Sequence, residues 1–251
     1  MVSKRTGSKS AFGLFVILTL FLAADIILFF IAGVPRIESA AEQKKWEGLD
    51  LLQKYTENRD MAGWLQVEGT NINYPVMRGD AYLYRNFTGS HNDSGSLFVE
   101  EDWSGDDMCT LIYGHNMWMY GTMFNQLHRF TEPDFFRGNR TIRFYAIGEG
   151  GTSAEKRTYE ILFCVRTRVD EWNYAGCRYI RSREGLAAFA EECGRRAVQT
   201  WETGEDERGE CGQLIVLSTC SYHVRGGKGR LLLVGELTGR TEQTRIDVDQ
   251  R

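Results

Sequence analysis

The chain of 251 residues has no block of like charge, no basic stripe interleaved with aromatics and no glycine-rich phosphate loop. Nucleic acids and nucleotides therefore find no footing in it. Internal repeats and low-complexity tracts are absent too, which excludes solenoid and repeat architectures. Its six cysteines make no CxxC pair and no Cys/His metal spacing. The acidic residues of GSHNDSG (89–95) lack the ligand order of an EF-hand. No metal, no cofactor and no calcium dependence is expected. Histidine is scarce as well, with only four in the chain, so any proton-transfer role falls to a short list.

What is present begins with an apolar run, AFGLFVILTLFLAADIILFFIAGV, at residues 11–34. It is long enough to cross about 30 Å of hydrocarbon as a helix. Asp25 interrupts it at a cost of about 3 kcal/mol on insertion scales, which the surrounding Leu, Ile, Phe and Val offset. A cleaved signal peptide competes as a reading, but such segments have apolar cores of about 7–15 residues. Lys4, Arg5 and Lys9 precede the run and, by the positive-inside rule, hold residues 1–10 in the cytoplasm. The remainder then lies outside the cell, tethered to lipid through residues 11–34. Net charge is −4 for the whole chain and more acidic beyond the anchor.

An even cysteine count outside the cell permits up to three disulfides among Cys109, Cys164, Cys177, Cys193, Cys211 and Cys220. Yet Cys109, Cys164 and Cys220 lie in apolar, strand-like runs, where a lone thiol is usually a small core residue. The spacing leaves the pairing open.

Residues 35–60 read as a helical stalk, with Trp46, Leu49, Leu52 and Tyr55 three apart on one face. From 61 to 240 come strand-like runs, GWLQVEG, GSLFVEE, MCTLIYGH, RTIRFYAI, TYEILFCVRTRV, QLIVLSTC and GRLLLVGEL, rich in β-branched and aromatic residues. Two helices interrupt them. One is the short GTMFNQLHRF; the other is SREGLAAFAEECGRRAVQ, with Ser182 as N-cap and Leu186, Phe189, Ala190 and Cys193 on one face. So many strands with so few helices predict a mostly β, closed barrel rather than a parallel α/β sheet. A polar tail occupies 241–251.

The stretch LIVLSTCSYHVRGGKGRLLLVGEL (214–237) reads as two strands around a loop, with Cys220 ending the first and Arg230 opening the second. Antiparallel pairing brings the two together at a sheet rim. There a guanidinium can favour a thiolate or hold a carbonyl oxygen on which charge develops. A nucleophile also needs a group to manage protons. His115 is the best placed of the four histidines, since CTLIYGHN breaks at Gly114 as it delivers a polar side chain. His128 within a helix and His91 in a polar loop read as surface residues, and His223 remains a competitor beside the cysteine.

YGHNM, then LSTC, then GRLLLV resembles the His, Cys and Arg signatures of the sortases, membrane-anchored cysteine transpeptidases of Gram-positive bacteria. NYPVMRGD, YLYRNF and GSLF, with the stalk and the helix between the two strands that precede the cysteine, look like class B. The resemblance spans residues 46–237. Two positions depart from it: Val216 stands where the family's TLxTC has its first Thr, and Ser221 follows the cysteine where class B often has an acid. The resemblance implies a sortase-like barrel in which Cys220 attacks a sorting signal after its Thr, forming a thioester. His115 handles the protons and Arg230 steadies the oxyanion. It also places Leu83, Tyr174 and Ser218 against the sorting peptide. Implied partners are a surface protein bearing a C-terminal sorting signal and an amine acceptor, either a peptidoglycan precursor or a pilin lysine, met at the outer face of the cell membrane. A tethered barrel that only binds a ligand, with a structural Cys220, is the competing class.

Overall fold

Each strand-like run of the sequence folds as a strand, because alternating apolar side chains have two faces to bury. The computed structural model describes residues 49–201, 212–224 and 226–243. The expected anchor at 11–34, the segment 1–10, the first part of the stalk with Trp46, Cys211 and the end of the tail lie outside those residues. Among the described residues no helix is long and apolar enough to cross a membrane.

Helix α1 (Leu49–Glu57) buries Leu51 and Leu52 against the next strand, with Tyr55 half-buried beside them. The strands that follow are β1 (Met61–Val67), β2 (Asn73–Arg78), β3 (Leu97–Val99) and β4 (Cys109–Tyr113). A small hairpin, β5 (Asn116–Met117) and β6 (Thr122–Met123), leads through a 3₁₀ helix (Asn125–Thr131) and α2 (Pro133–Gly138) to β7 (Thr141–Ile147) and β8 (Ala154–Arg168). Another 3₁₀ helix (Tyr174–Tyr179), then α3 (Arg183–Arg196) and β9 (Ala197–Thr200), precede β10 (Leu214–Cys220) and β11 (Gly229–Gln243).

Strands pair in the order β11-β10-β4-β3-β2-β1-β7-β8, and β11 pairs again with β8 from Gly229↔Arg168 to Gln243↔Ala154. That pairing closes an eight-stranded barrel, with β9 lying beside the far end of β8. Two contacts, β10 with β4 and β2 with β3, are parallel; the others are antiparallel. The inside is filled by side chains such as Leu65, Val76, Ile112, Phe144, Leu217 and Leu233. A second core lies on the outer face of β4, β10 and β11, where Leu111, Val216 and Leu232 meet Leu186, Phe189 and Cys193 of α3.

Ser182 caps α3, its hydroxyl accepting from the Gly185 N–H at 3.1 Å, as the sequence predicts. Two expectations change. GTMFNQLHRF is no α-helix: Met123 takes φ 54°, which ends right-handed helical geometry, and the Phe124 N–H donates to the His115 carbonyl at 2.9 Å. Strand β6 and a 3₁₀ helix result. The polar tail expected from 241 starts later, because β11 stays paired with β8 through Gln243.

Candidate active site

The site arises where three neighbouring strands, β4, β10 and β11, end together. Cys220 lies directly opposite Arg230 in the antiparallel ladder. On the other side of β10 the parallel register sets Tyr113 beside Ser218. His115 follows two residues beyond that last pair, and Cys220 ends β10 two residues beyond Ser218. Alternation fixes the face as well: Leu111 of β4, Val216 of β10 and Leu232 of β11 point to the outer core. Counting by twos, Cys220 and Arg230 continue that outward row past the end of its apolar cover. Cys220, His115 and Arg230 are all half-buried.

Gly114 makes the turn possible. Its N–H donates to the Ser218 carbonyl at 3.1 Å, and its own carbonyl accepts from the Thr219 hydroxyl at 2.8 Å. A Cβ at residue 114 would lie 2.5 Å from a Leu97 methyl and 2.7 Å from the Phe124 ring. The chain then leaves the sheet for the β5–β6 hairpin and frees the His115 side chain. Its Nε2 lies 2.9 Å from the Leu83 carbonyl, and its ring packs against Tyr84 with centroids 5.5 Å apart. A carbonyl can only accept, so Nε2 carries a proton. Arg230 Nη1 donates to the carbonyls of Gly227 at 2.9 Å and Gly229 at 2.8 Å, which ties the guanidinium to the loop preceding its own strand.

Leu83 thus joins the site through its backbone. Ser218 sits one pleat repeat, about 7 Å, below Cys220 on the same face, and Tyr174 reaches it from the 3₁₀ helix Tyr174–Tyr179. Both are buried, and their hydroxyls are 3.0 Å apart. Sequence reasoning passed over two neighbours. Asn116 Nδ2 donates to the Cys220 carbonyl at 3.0 Å, and His128 Nε2 lies 3.2 Å from the same oxygen. His128, read from sequence as a surface residue, is half-buried, because the 3₁₀ helix that carries it packs under the end of β10. Burial pushes its pKa below the ordinary value, the Cys220 carbonyl opposing that shift in part, with Arg166 and His223 adding to it. In sequence only the His-Asn pair after the strand break hinted at Asn116; nothing marked His128.

The remaining histidines lie at the margin. His223 is exposed, with Nδ1 2.8 Å from the Ser221 hydroxyl, and its pKa is lowered by partial burial and by Arg166 and Arg168. His91 is exposed beside Asp93 at 3.2 Å. Cys164, Cys177 and Cys193 are buried free thiols, and burial pushes Cys164 up to about 12. Only Cys220 among these is partly open to solvent. A cleft lined by Glu100, Asp102, Asp107, Arg178 and Arg181 opens beside Cys109, at the other end of β4 from His115. Its arginines are taken up by ion pairs with Glu100 and Asp107.

No family model matches the chain. It is 28% identical to sortase B of Listeria monocytogenes over 189 residues, which covers 72% of this chain and 70% of that protein. It is also 28% identical to sortase B of Staphylococcus aureus over 185 residues, 72% of this chain and 71% of the relative. The crystal structure of Clostridium perfringens sortase B superposes with a TM-score of 0.65 at 27% identity, covering 74% of this chain and 98% of that one. In sequence and in fold, then, this chain is a homologue of the class B sortases, enzymes that are cysteine transpeptidases.

Proposed function

We propose that the chain cleaves a C-terminal sorting signal after its threonine and transfers the protein to an amine of the cell wall. The observation that supports this reading is the pairing of Cys220 with Arg230 at the end of the β10–β11 ladder, beside the end of β4 from which His115 follows. The Cys220 thiol passes its proton to His115 as the sulfur attacks the scissile carbonyl, and the tetrahedral oxyanion is stabilised by Arg230 donors not used on the loop carbonyls. His115 donates a proton to the departing amine as the C–N bond breaks, leaving a thioester. An incoming amine then attacks the thioester carbonyl, His115 takes its proton, and the thiol leaves. The acylated segment lies at the rim beyond the cover of α3, beside Leu83 and above the buried Tyr174–Ser218 pair. Residues 11–34 hold the enzyme at the outer face of the membrane, where an exported protein and a wall amine meet.

Full-length chain in detergent, mixed with LPxTG- and NPxTx-type peptides and hydroxylamine, tests the proposal. Cleavage after Thr, a hydroxamate product and a peptide adduct on Cys220 are expected, all lost in Cys220→Ala. Undiminished turnover by that variant would leave only a ligand-binding barrel or a different nucleophile. Offering a lysine-bearing subunit or a wall peptide as acceptor then separates pilus assembly from wall anchoring.

A further inference from the structure

The Cys220 carbonyl sits where β10 loses its neighbour. Within the ladder, the Ser218 carbonyl accepts from the Gly114 N–H. Two residues on, the same pattern would have the Asn116 N–H bond the Cys220 carbonyl, but the chain has already left for the β5–β6 hairpin, where Asn116 pairs with Met123. The side chain of Asn116 fills the vacancy, Nδ2 donating to the Cys220 carbonyl at 3.0 Å.

Asn116 is itself oriented. It is 8% exposed, and its Oδ1 accepts from Asn125 Nδ2 at 2.8 Å, which forces Nδ2 toward Cys220. His128 Nε2, 3.0 Å from Asn116 Nδ2, donates to the same Cys220 carbonyl at 3.2 Å. Both heavy polar atoms of the Asn116 side chain are thereby engaged, in a direction set by Asn125.

We propose that Asn116, held by Asn125, is a positioning residue: beside the His128 donor it replaces the missing backbone donor of β4 and so fixes the peptide plane that aims the Cys220 sulfur at the scissile carbonyl. The inference rests on Cys220 being the nucleophile. A carbonyl left with only the longer His128 contact would let the plane at the free end of β10 rotate, and misplacement of a nucleophile by about 1 Å costs up to about 100-fold. Attack by a small, freely oriented electrophile does not depend on that aim.

The experiment compares Asn116→Ala and Asn125→Asp with the unaltered full chain in detergent. In Asn125→Asp a carboxylate replaces the donor, so the Asn116 amide turns over and presents its oxygen to the Cys220 carbonyl. Both variants should lower kcat for peptide cleavage about 10- to 100-fold while KM, and the rate of Cys220 alkylation by iodoacetamide, stay within about twofold. Combining the two should cost no more than Asn116→Ala alone. Turnover of Asn125→Asp and Asn116→Ala near that of the parent, additive losses, or a loss carried mainly by KM would each overturn the proposal. Should Asn116→Ala fail to fold, Asn125→Asp decides alone. Persistent turnover by Cys220→Ala would refute the nucleophile assignment, a different failure.

Discussion

Gly114→Ala tests the local geometry that delivers His115. The added methyl would stand 2.5 Å from Leu97 Cδ2, 2.7 Å from Phe124 Cδ2 and 2.9 Å from Phe124 Cγ. Carbon atoms pack at about 3.5–4.0 Å, so two neighbours must each give by about 1 Å. Neither has room, since Leu97 and Phe124 are both fully buried in the barrel core. Overpacking of this kind costs about 1–3 kcal/mol. Displacement of residue 114 also weakens its bonds with Ser218 and Thr219, each worth about 1 kcal/mol. A loss of about 2–4 kcal/mol, or about 4–16 °C in Tm for a domain of this size, is expected. Urea unfolding of the full chain in detergent reads it. Leu97→Ala alone costs about 2–5 kcal/mol, but it vacates the space the new methyl needs. The double variant should therefore lose at least about 1 kcal/mol less than the sum of the singles. A Gly114→Ala variant within about 0.5 kcal/mol of the parent, or strict additivity, would show that the close approach of strand and core is not what shapes this turn.

Arg230→Lys keeps the charge but loses the planar fork, and kcat/KM for peptide cleavage should fall about 100-fold; activity near that of the parent would remove Arg230 from oxyanion stabilisation. Stability should fall as pH drops from about 7 toward 5.5, because burial holds the folded pKa of His128 below its ordinary 6.5 and the unfolded chain takes up the proton first. His223 contributes in the same direction. The urea midpoint of His128→Gln should be flatter over that interval, and a midpoint that rises on acidification would contradict the assignment. Iodoacetamide at about pH 8 should label Cys220 in the native chain and spare Cys164 and Cys193, whose thiols burial pushes up. Equal labelling of Cys164 and Cys220 would count against the packing of β8.

The order His115, Cys220, Arg230, the apolar alternation of β4, β10 and β11, and the break at Gly114 are properties of the chain read in one dimension. They sufficed for a barrel and for a rim pairing of Cys220 with Arg230, because a short hairpin loop leaves few other registers. The Ser182 cap and the buried face of α3 were legible for the same reason: both depend on neighbours within a few residues. Closure of the barrel through β8 and β11, and the parallel seat of β4 beside β10, depend on contacts between segments far apart in sequence. No local signal specifies them. The same holds for Asn116 and His128. By composition they are loop and helix-surface residues; only the end of β4 beside a longer β10 leaves a carbonyl open for them to meet. Tyr174 and Ser218 could be named from resemblance, but their burial against one another follows from how α3 and the preceding turn cover the outer face. Local periodicity thus determined which residues the strands carry to their ends, and long-range register decided which of those ends meet.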